Sequence, residues 1–322
     1  RLMATRTPTY YTGTITGQNG TLITVLDAIL VTGEGWTKTY SGTNKAVYTQ
    51  ATGNGFCFRV LDDGSGAGGA GEAEVRAAES ASDVDTLIDP FPTVAQVSNA
   101  NCTWRKSNSN DATTRNYWCV ADGSFFAIII GFGGIGSAAD MYMFGDIEPY
   151  YSGDGYNTIF TTRNASNNSY NGTLTLITSP TIIHVGTGGR AFFARSADGL
   201  IKSDFAWISG NSTYLGYTNY NQPAYPCTPT NKLHLGFIRS WSAYSDTVTN
   251  AQNGAMYRGV LPHMLEPILG IGSGVLAHGD TFVDSAYEAT SNSLVLLQCV
   301  GGTLSASPRV VFQVAGTWNP GF

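Results

Sequence analysis

Short apolar runs separated by turn residues dominate this sequence. The most apolar run, Phe125–Gly131, has about seven residues, which suits a buried strand and is far shorter than the ~20 residues of a membrane-spanning helix. Similar runs recur with glycine, asparagine and aspartate between them, at a spacing of about 8–12 residues. The pattern predicts a mainly β protein, either an antiparallel β-sandwich or a distorted barrel, with an extended N-terminal arm and one short amphipathic helix.

Two strand pairs have clear hairpin turns. Residues 46–49 and 56–61 alternate around Gly53–Gly55, and residues 116–121 and 124–130 flank Asp122–Gly123. Further strands are predicted at 72–76, 141–147, 156–161, 173–177, 181–185, 190–195, 233–240, 294–300 and 309–315. A short helical turn is expected at 93–99, and a further helix at Pro262–Leu269.

One early segment has helical periodicity. Apolar residues recur there at i, i+3, i+4 and i+7, namely Leu22, Val25, Leu26, Ile29 and Leu30. Thr21 or Asn19 is the expected N-cap, and Gly33 the expected end. We therefore divide the chain into an N-terminal arm with a docking helix (1–35), a first β-rich half (36–170) and a second β-rich half (171–322) packed with the first.

Charge is scarce in this chain. Charged residues make up 12% of its 322 residues, against about 25% in ordinary soluble domains, and 42% are hydrophobic. The net charge is −6, and the 17 Lys and Arg residues form no cluster of the kind that binds phosphates. We expect neither a nucleic-acid nor a membrane partner. Surfaces covered by neighbouring subunits are depleted of charge in this way.

The motifs that carry chemistry are incomplete. Gly131–Gly136 matches G-x-G-x-x-G, but no amphipathic helix follows it, so a glycine turn is the preferred interpretation. The four histidines form no close metal-ligand pair, and the five cysteines contain no C-x-x-C. Acidic groups such as Asp146 with Glu148 leave glycoside hydrolysis or cation binding open, with turns or subunit contacts preferred. We expect no catalytic residue, cofactor or metal, and no enzymatic activity.

Tyrosines mark the candidate contact sites. A local concentration among Asn, Thr and Pro suits a subunit interface, which we favour, or a carbohydrate ligand. Together with positions on the arm and the helix, the candidate interface or ligand contacts are Tyr10, Tyr11, Leu22, Leu26, Tyr214, Tyr217, Tyr220 and Tyr225.

Two adjacent motifs carry a family resemblance. Gly20–Gly33 reads GTLITVLDAILVTG, and Gly35–Tyr48 reads GWTKTYSGTNKAVY. Further matching elements follow in order at 58–63, 81–86, 90–93, 104–107, 117–122, 144–147, 153–157, 258–262 and 311–318. Across most of its length the sequence thus resembles a family of tailed-bacteriophage virion proteins. It departs from them at His263, where a glycine is expected, and it lacks the immunoglobulin-like insertion that some relatives carry before the Gly-Trp element.

The resemblance implies a non-enzymatic structural component of a tailed-phage virion. Such a protein would be assembled in multiple copies in the host cytoplasm, in the tail or head–tail region. Its partners would be other virion proteins and copies of itself. A capsid decoration protein is one alternative, and a host-glycan-binding, less often glycan-cleaving, attachment protein is the other. The resemblance supplies no catalytic residues and implies turn roles for Asp83 and Asp85.

Overall fold

A computed structural model of the chain describes residues 6–65, 71–131, 139–164, 190–209, 235–243, 256–267, 279, 281–283, 293–298 and 309–318. Within these residues the structure is mainly β, and every strand pairing is antiparallel. The prediction of a mainly β, sandwich-like fold with one short helix is confirmed.

The described residues form 19 strands. In chain order they are β1 (Thr9–Ile15), β2 (Thr37–Gly42), β3 (Lys45–Thr49), β4 (Cys57–Leu61), β5 (Glu72–Ala81), β6 (Leu87–Phe91), β7 (Cys102–Arg105), β8 (Arg115–Ala121), β9 (Phe125–Gly131), β10 (Ala139–Asp146), β11 (Glu148–Pro149), β12 (Thr158–Asn164), β13 (Arg190–Arg195), β14 (Lys202–Ser209), β15 (Leu235–Ala243), β16 (Met256–Pro267), β17 (Thr281–Val283), β18 (Ser293–Gln298) and β19 (Arg309–Gln313). Helix α1 (Thr21–Leu26) continues as a π-helical segment, Asp27–Gly33, and a 3₁₀ turn spans Asn99–Asn101.

The strands pair in two groups, which the pairing of the end of β12 with β7 joins. In the first sheet β2, β3, β4 and β5 are neighbours, and β6 and β7 pair with successive parts of β5. In the second sheet the order is β1, β8, β9, β10, β12, β13, β14, β15, β16, β19, β18 and β17, with β11 also on β16. The pairing of β12 with β13 carries this sheet across the expected boundary between the two β-rich halves.

Strand β9 is apolar along its whole length because both of its faces are buried. Its residues alternate between two cores: Phe126 and Ile128 lie in one, and Phe125 and Ile129 lie in the other. The first core also contains the apolar side of α1 and residues of both sheets, so the helix is buried between them. A strand buried on both faces has no solvent side and therefore lacks polar alternation.

Two predictions about helices are wrong. Residues 262–267 continue β16, because this segment pairs with β15 on one side and β19 on the other. At α1 the N-cap is Gly20, in a left-handed conformation at φ 81°, and no side chain of Thr21 or Asn19 caps the helix. The Leu22 N–H instead donates to Asp62 Oδ2 at 2.9 Å, a partner distant in sequence.

Candidate interaction surface

The predicted contact residues near the N-terminus have two different environments. Tyr10 and Tyr11 are half-buried on β1, and the Tyr11 hydroxyl donates to Glu34 Oε1 at 2.6 Å. Leu22 and Leu26 have no exposed surface, because both belong to this chain's own core. The expected interface role of Leu22 and Leu26 is therefore corrected: they hold α1 in place and are closed to a second chain.

The other predicted contact residues, Tyr214, Tyr217, Tyr220 and Tyr225, lie outside the described residues. The same is true of most of the glycine motif, of which Gly131 ends β9. Asp83 has the turn role that the family resemblance implies, since its Oδ1 accepts from the N–H of Asp85 at 2.7 Å and of Thr86 at 2.8 Å.

An apolar surface that the sequence analysis missed is formed by large exposed side chains. In the described part of the chain these are Ile88, Val94, Tyr150, Tyr151, Leu200 and Ile201. We call this set the apolar surface. Leu200 is 81% exposed and Tyr151 is 68% exposed, although both are large hydrophobic residues. The six residues come from three segments: 87–96, 150–156 and 196–201.

Arg195, at the end of β13, connects the first of these segments to the third. Its guanidinium bonds to Glu79 Oε2 at 2.8 Å, lies 3.6 Å from Asp89 Oδ2, and donates to the Gly199 carbonyl at 3.4 Å. Lys202 also pairs with Asp89. These bonds fix the hairpin turn of Leu200 and Ile201 beside the strand that carries Ile88.

Arg258 fixes the second segment from within the protein. Its side chain is fully buried, and it bonds to both carboxylate oxygens of Asp154, at 2.8 and 2.6 Å. It also donates to the Tyr156 carbonyl at 3.0 Å and to the Arg195 carbonyl at 2.5 Å. The guanidinium lies 4.1 Å from the centroid of the Phe193 ring. A single buried arginine thus ties the Tyr150–Tyr151 loop to the strand end next to Leu200.

Hydrogen bonds and ion pairs of Arg195, Lys202 and Arg258 therefore connect the three segments that carry these exposed side chains. Scattered exposed hydrophobic residues are common on monomers, but groups of them mark surfaces that another molecule covers. Tyr150 also packs on Tyr257, with ring centroids 5.4 Å apart. Tyrosine and leucine on a rigid support suit burial against a protein partner, with the paired charges at the rim.

A buried polar cluster lies elsewhere, around Asp122 in the β8–β9 turn. Asp122 Oδ1 accepts from the N–H groups of Ser124 at 2.7 Å and Phe125 at 2.8 Å. Asp122 Oδ2 accepts from Arg6 Nε at 2.8 Å and lies 2.6 Å from His263 Nε2. We call Arg6, Asp122, Ser124 and His263 the buried polar cluster.

The pKa values in this cluster follow from burial and charge. Burial alone disfavours the Asp122 carboxylate, but Arg6 and the His263 hydrogen bond outweigh it and hold the Asp122 pKa well below its usual range. Burial lowers the pKa of His263, against the opposing effect of Asp122. His263 has φ 59°, so this position does adopt the conformation that favours the glycine expected there.

The cluster connects distant segments of the chain. Among the described residues, His263 Nδ1 is buried without a hydrogen-bond partner. Arg6 pairs through its backbone with Trp318, and the Trp318 ring lies 5.5 Å from that of His263. The cluster thus joins the first and last described segments of the chain. Local sequence patterns could identify only the Asp122–Gly123 turn.

In the described ranges, no three His, Cys, Asp or Glu side chains are grouped in a way that could hold a metal ion. No helix in the same residues is long and apolar enough to cross a membrane.

No protein-family model matches this chain, and no curated protein matches it.

Proposed function

We propose that this chain is a non-enzymatic structural component of a tailed-phage virion, assembled in multiple copies through surfaces with little charge. The observation that carries the proposal is the apolar surface, which exposes Leu200 and Tyr151 on a support fixed by Arg195 and Arg258. The sequence resemblance supplies the virion setting. Its location is proposed as the tail or head–tail region, with capsid decoration as the alternative.

The low charge of the chain supports the same proposal. Several of its few charged side chains are used inside the molecule: Lys106 and Asp62 form a pair with no exposed side-chain surface, and Arg258 pairs with Asp154 in the core. These charges cannot contribute to a solvated surface. A protein with so little surface charge is prone to association, and assembly into a particle uses that property.

The test measures self-association of the full chain by sedimentation velocity over a wide concentration range. We expect oligomers, and we expect the double variant Leu200→Ser/Tyr151→Ser to weaken association at least about tenfold. Burial of a leucine side chain contributes about 1.5–3 kcal/mol, and about 1.4 kcal/mol corresponds to a factor of ten. The matched control is Ala112→Ser, another exposed apolar-to-serine change.

A wild-type chain that stays monomeric at every concentration, and is absent from purified particles, would overturn the proposal. If the oligomers of the double variant and of Ala112→Ser are equally stable, the apolar surface is not the contact that forms them. The competing attachment hypothesis predicts binding on a glycan array, or release of reducing sugars if the protein cleaves glycans.

A further inference from the structure

Strand β1 forms one end of the second sheet. Its seven residues pair with β8 in an unbroken register, from Thr9 opposite Ala121 to Ile15 opposite Arg115. Among the described residues, no strand pairs with the other edge of β1. Within that part of the chain, the edge presents the N–H and C=O groups that a further strand would need.

Strand β1 itself carries none of the sequence features that normally block strand addition. Natural edge strands are protected by lysine, proline, β-bulges or short length. Residues 9–15 read TYYTGTI, with no charge and no proline, and the pairing with β8 has no register shift. No charged residue occurs between Arg6 and Asp27. An uncharged strand of this length can pair with a strand of the same sequence without repulsion.

We propose that β1 pairs antiparallel with β1 of a second copy of this chain, about a two-fold axis at Thr12. This inference rests on the proposed multi-copy function and identifies one of its contacts. Centring the pair on Thr12 brings all seven residues into register, with Tyr10 opposite Thr14 of the other copy. The second sheets of the two copies then form one continuous sheet across a closed, self-complementary interface.

The side chains at the axis suit this pairing. Thr12 is exposed, as are Thr9 and Thr14, so a second strand meets no buried group there. Threonines opposite each other in an antiparallel pair stabilise it. The half-buried rings of Tyr10 and Tyr11 lie on opposite faces of the strand, and each packs on a core of its own chain. Pairing at the backbone edge therefore leaves both cores unchanged.

The test is a symmetric cross-link at the axis. Antiparallel neighbours have Cα atoms about 4.5–5.5 Å apart, within the range that a disulfide bridges. Oxidation of Thr12→Cys should give a cross-linked dimer, as two thiols lose their protons and two electrons to the added oxidant and form one S–S bond. Thr24→Cys, an exposed threonine change on α1, is the matched control. We expect cross-linking of Thr12→Cys to be on the order of tenfold faster or more, since paired groups reach effective concentrations near millimolar.

A second variant gives an independent measurement. Thr12→Lys places two like charges at the axis and should abolish the dimer, while circular dichroism shows an unchanged fold. Equal cross-linking rates for Thr12→Cys and Thr24→Cys, or a dimer that survives Thr12→Lys, would overturn the inference. If the chain still associates in sedimentation through the apolar surface, the proposed function stands and only the β1 contact fails. If another segment of the same chain pairs with the β1 edge, the β1 contact between copies likewise fails and the proposed function still stands.

Discussion

Replacing Arg6 with methionine removes the cation of the buried polar cluster and leaves its carboxylate in place. The arginine side chain is 10% exposed and that of Asp122 is 8% exposed. Arg6 donates to both Asp122 oxygens, to the Asp146 carbonyl at 2.8 Å and to Ser124 Oγ at 2.8 Å. Methionine fills a similar volume but satisfies none of these acceptors, so the change isolates the polar interactions.

The expected loss of stability is large. Removing one partner of a buried ion pair costs about 3–5 kcal/mol, because the remaining charge stays buried without its counterion. The unfolding entropy of a 322-residue chain is about 0.7 kcal/mol per kelvin if it unfolds as one unit. The melting temperature of Arg6→Met should therefore fall by about 4 to 7 °C.

The matched control is Lys45→Met, which breaks an ion pair with Asp85 whose side chains are 30% and 60% exposed. Exposed pairs contribute about 0–1 kcal/mol, so its melting temperature should change by less than about 1.5 °C. Differential scanning calorimetry measures both. Arg6→Lys keeps the charge but lacks the planar guanidinium, so its melting temperature should lie between those of Arg6→Met and Lys45→Met. If Arg6→Met melts no lower than Lys45→Met, Arg6 does not hold the first and last described segments together.

Two further predictions concern the core. Because its pKa is lowered, His263 is held in its neutral form in the folded state. Its contribution to the free energy of unfolding is therefore complete above the unfolded pKa of about 6.5 and is lost as the pH falls through the lower folded pKa. The stability advantage of wild type over His263→Asn, measured by urea unfolding, should therefore shrink between pH 7 and pH 5, and an advantage that grows would contradict the assigned burial. Leu26→Ala should cost about 2–5 kcal/mol in the same assay, since Leu26 is fully buried, whereas Thr24→Ala on the exposed side of α1 should cost under about 1 kcal/mol.

Local chemistry made much of the fold predictable from the sequence. Asp122–Gly123 correctly marks the β8–β9 hairpin, where Gly123 and Ser124 lie at the tip and the Asp122 side chain accepts from the N–H groups that follow. The run Phe125–Gly131 forms a strand buried on both faces, as expected for a short apolar segment. Strand β13, Arg190–Arg195, has the predicted bounds.

Interactions between distant residues account for what the sequence could not show. Polar and apolar residues alternate over 72–76, yet Glu74 is buried with Arg59, with Nη2 and Oε1 2.7 Å apart. A buried ion pair and a solvated one look the same in a sequence. The β16 segment was mistaken for a helix because its strand conformation depends on pairing with β15 and β19.

The apolar surface left a partial signal in the sequence. Tyr150–Tyr151 and Leu200–Ile201 are apolar pairs beside turn glycines, where exposed positions are common. The bonds of Arg195 and Arg258 connect the segments that carry these pairs, which are far apart in the chain. Sequence patterns can identify such pairs one at a time, but only the structure shows the bonds that connect their segments.

The most direct test of the central claim is quantitative mass spectrometry of purified particles of a phage that encodes this chain. If the chain is a structural component, it should be present in many copies per particle and should remain after washing at high salt, since its proposed contacts depend little on charge. Its absence from intact particles, or its release by salt alone, would contradict assembly through uncharged surfaces.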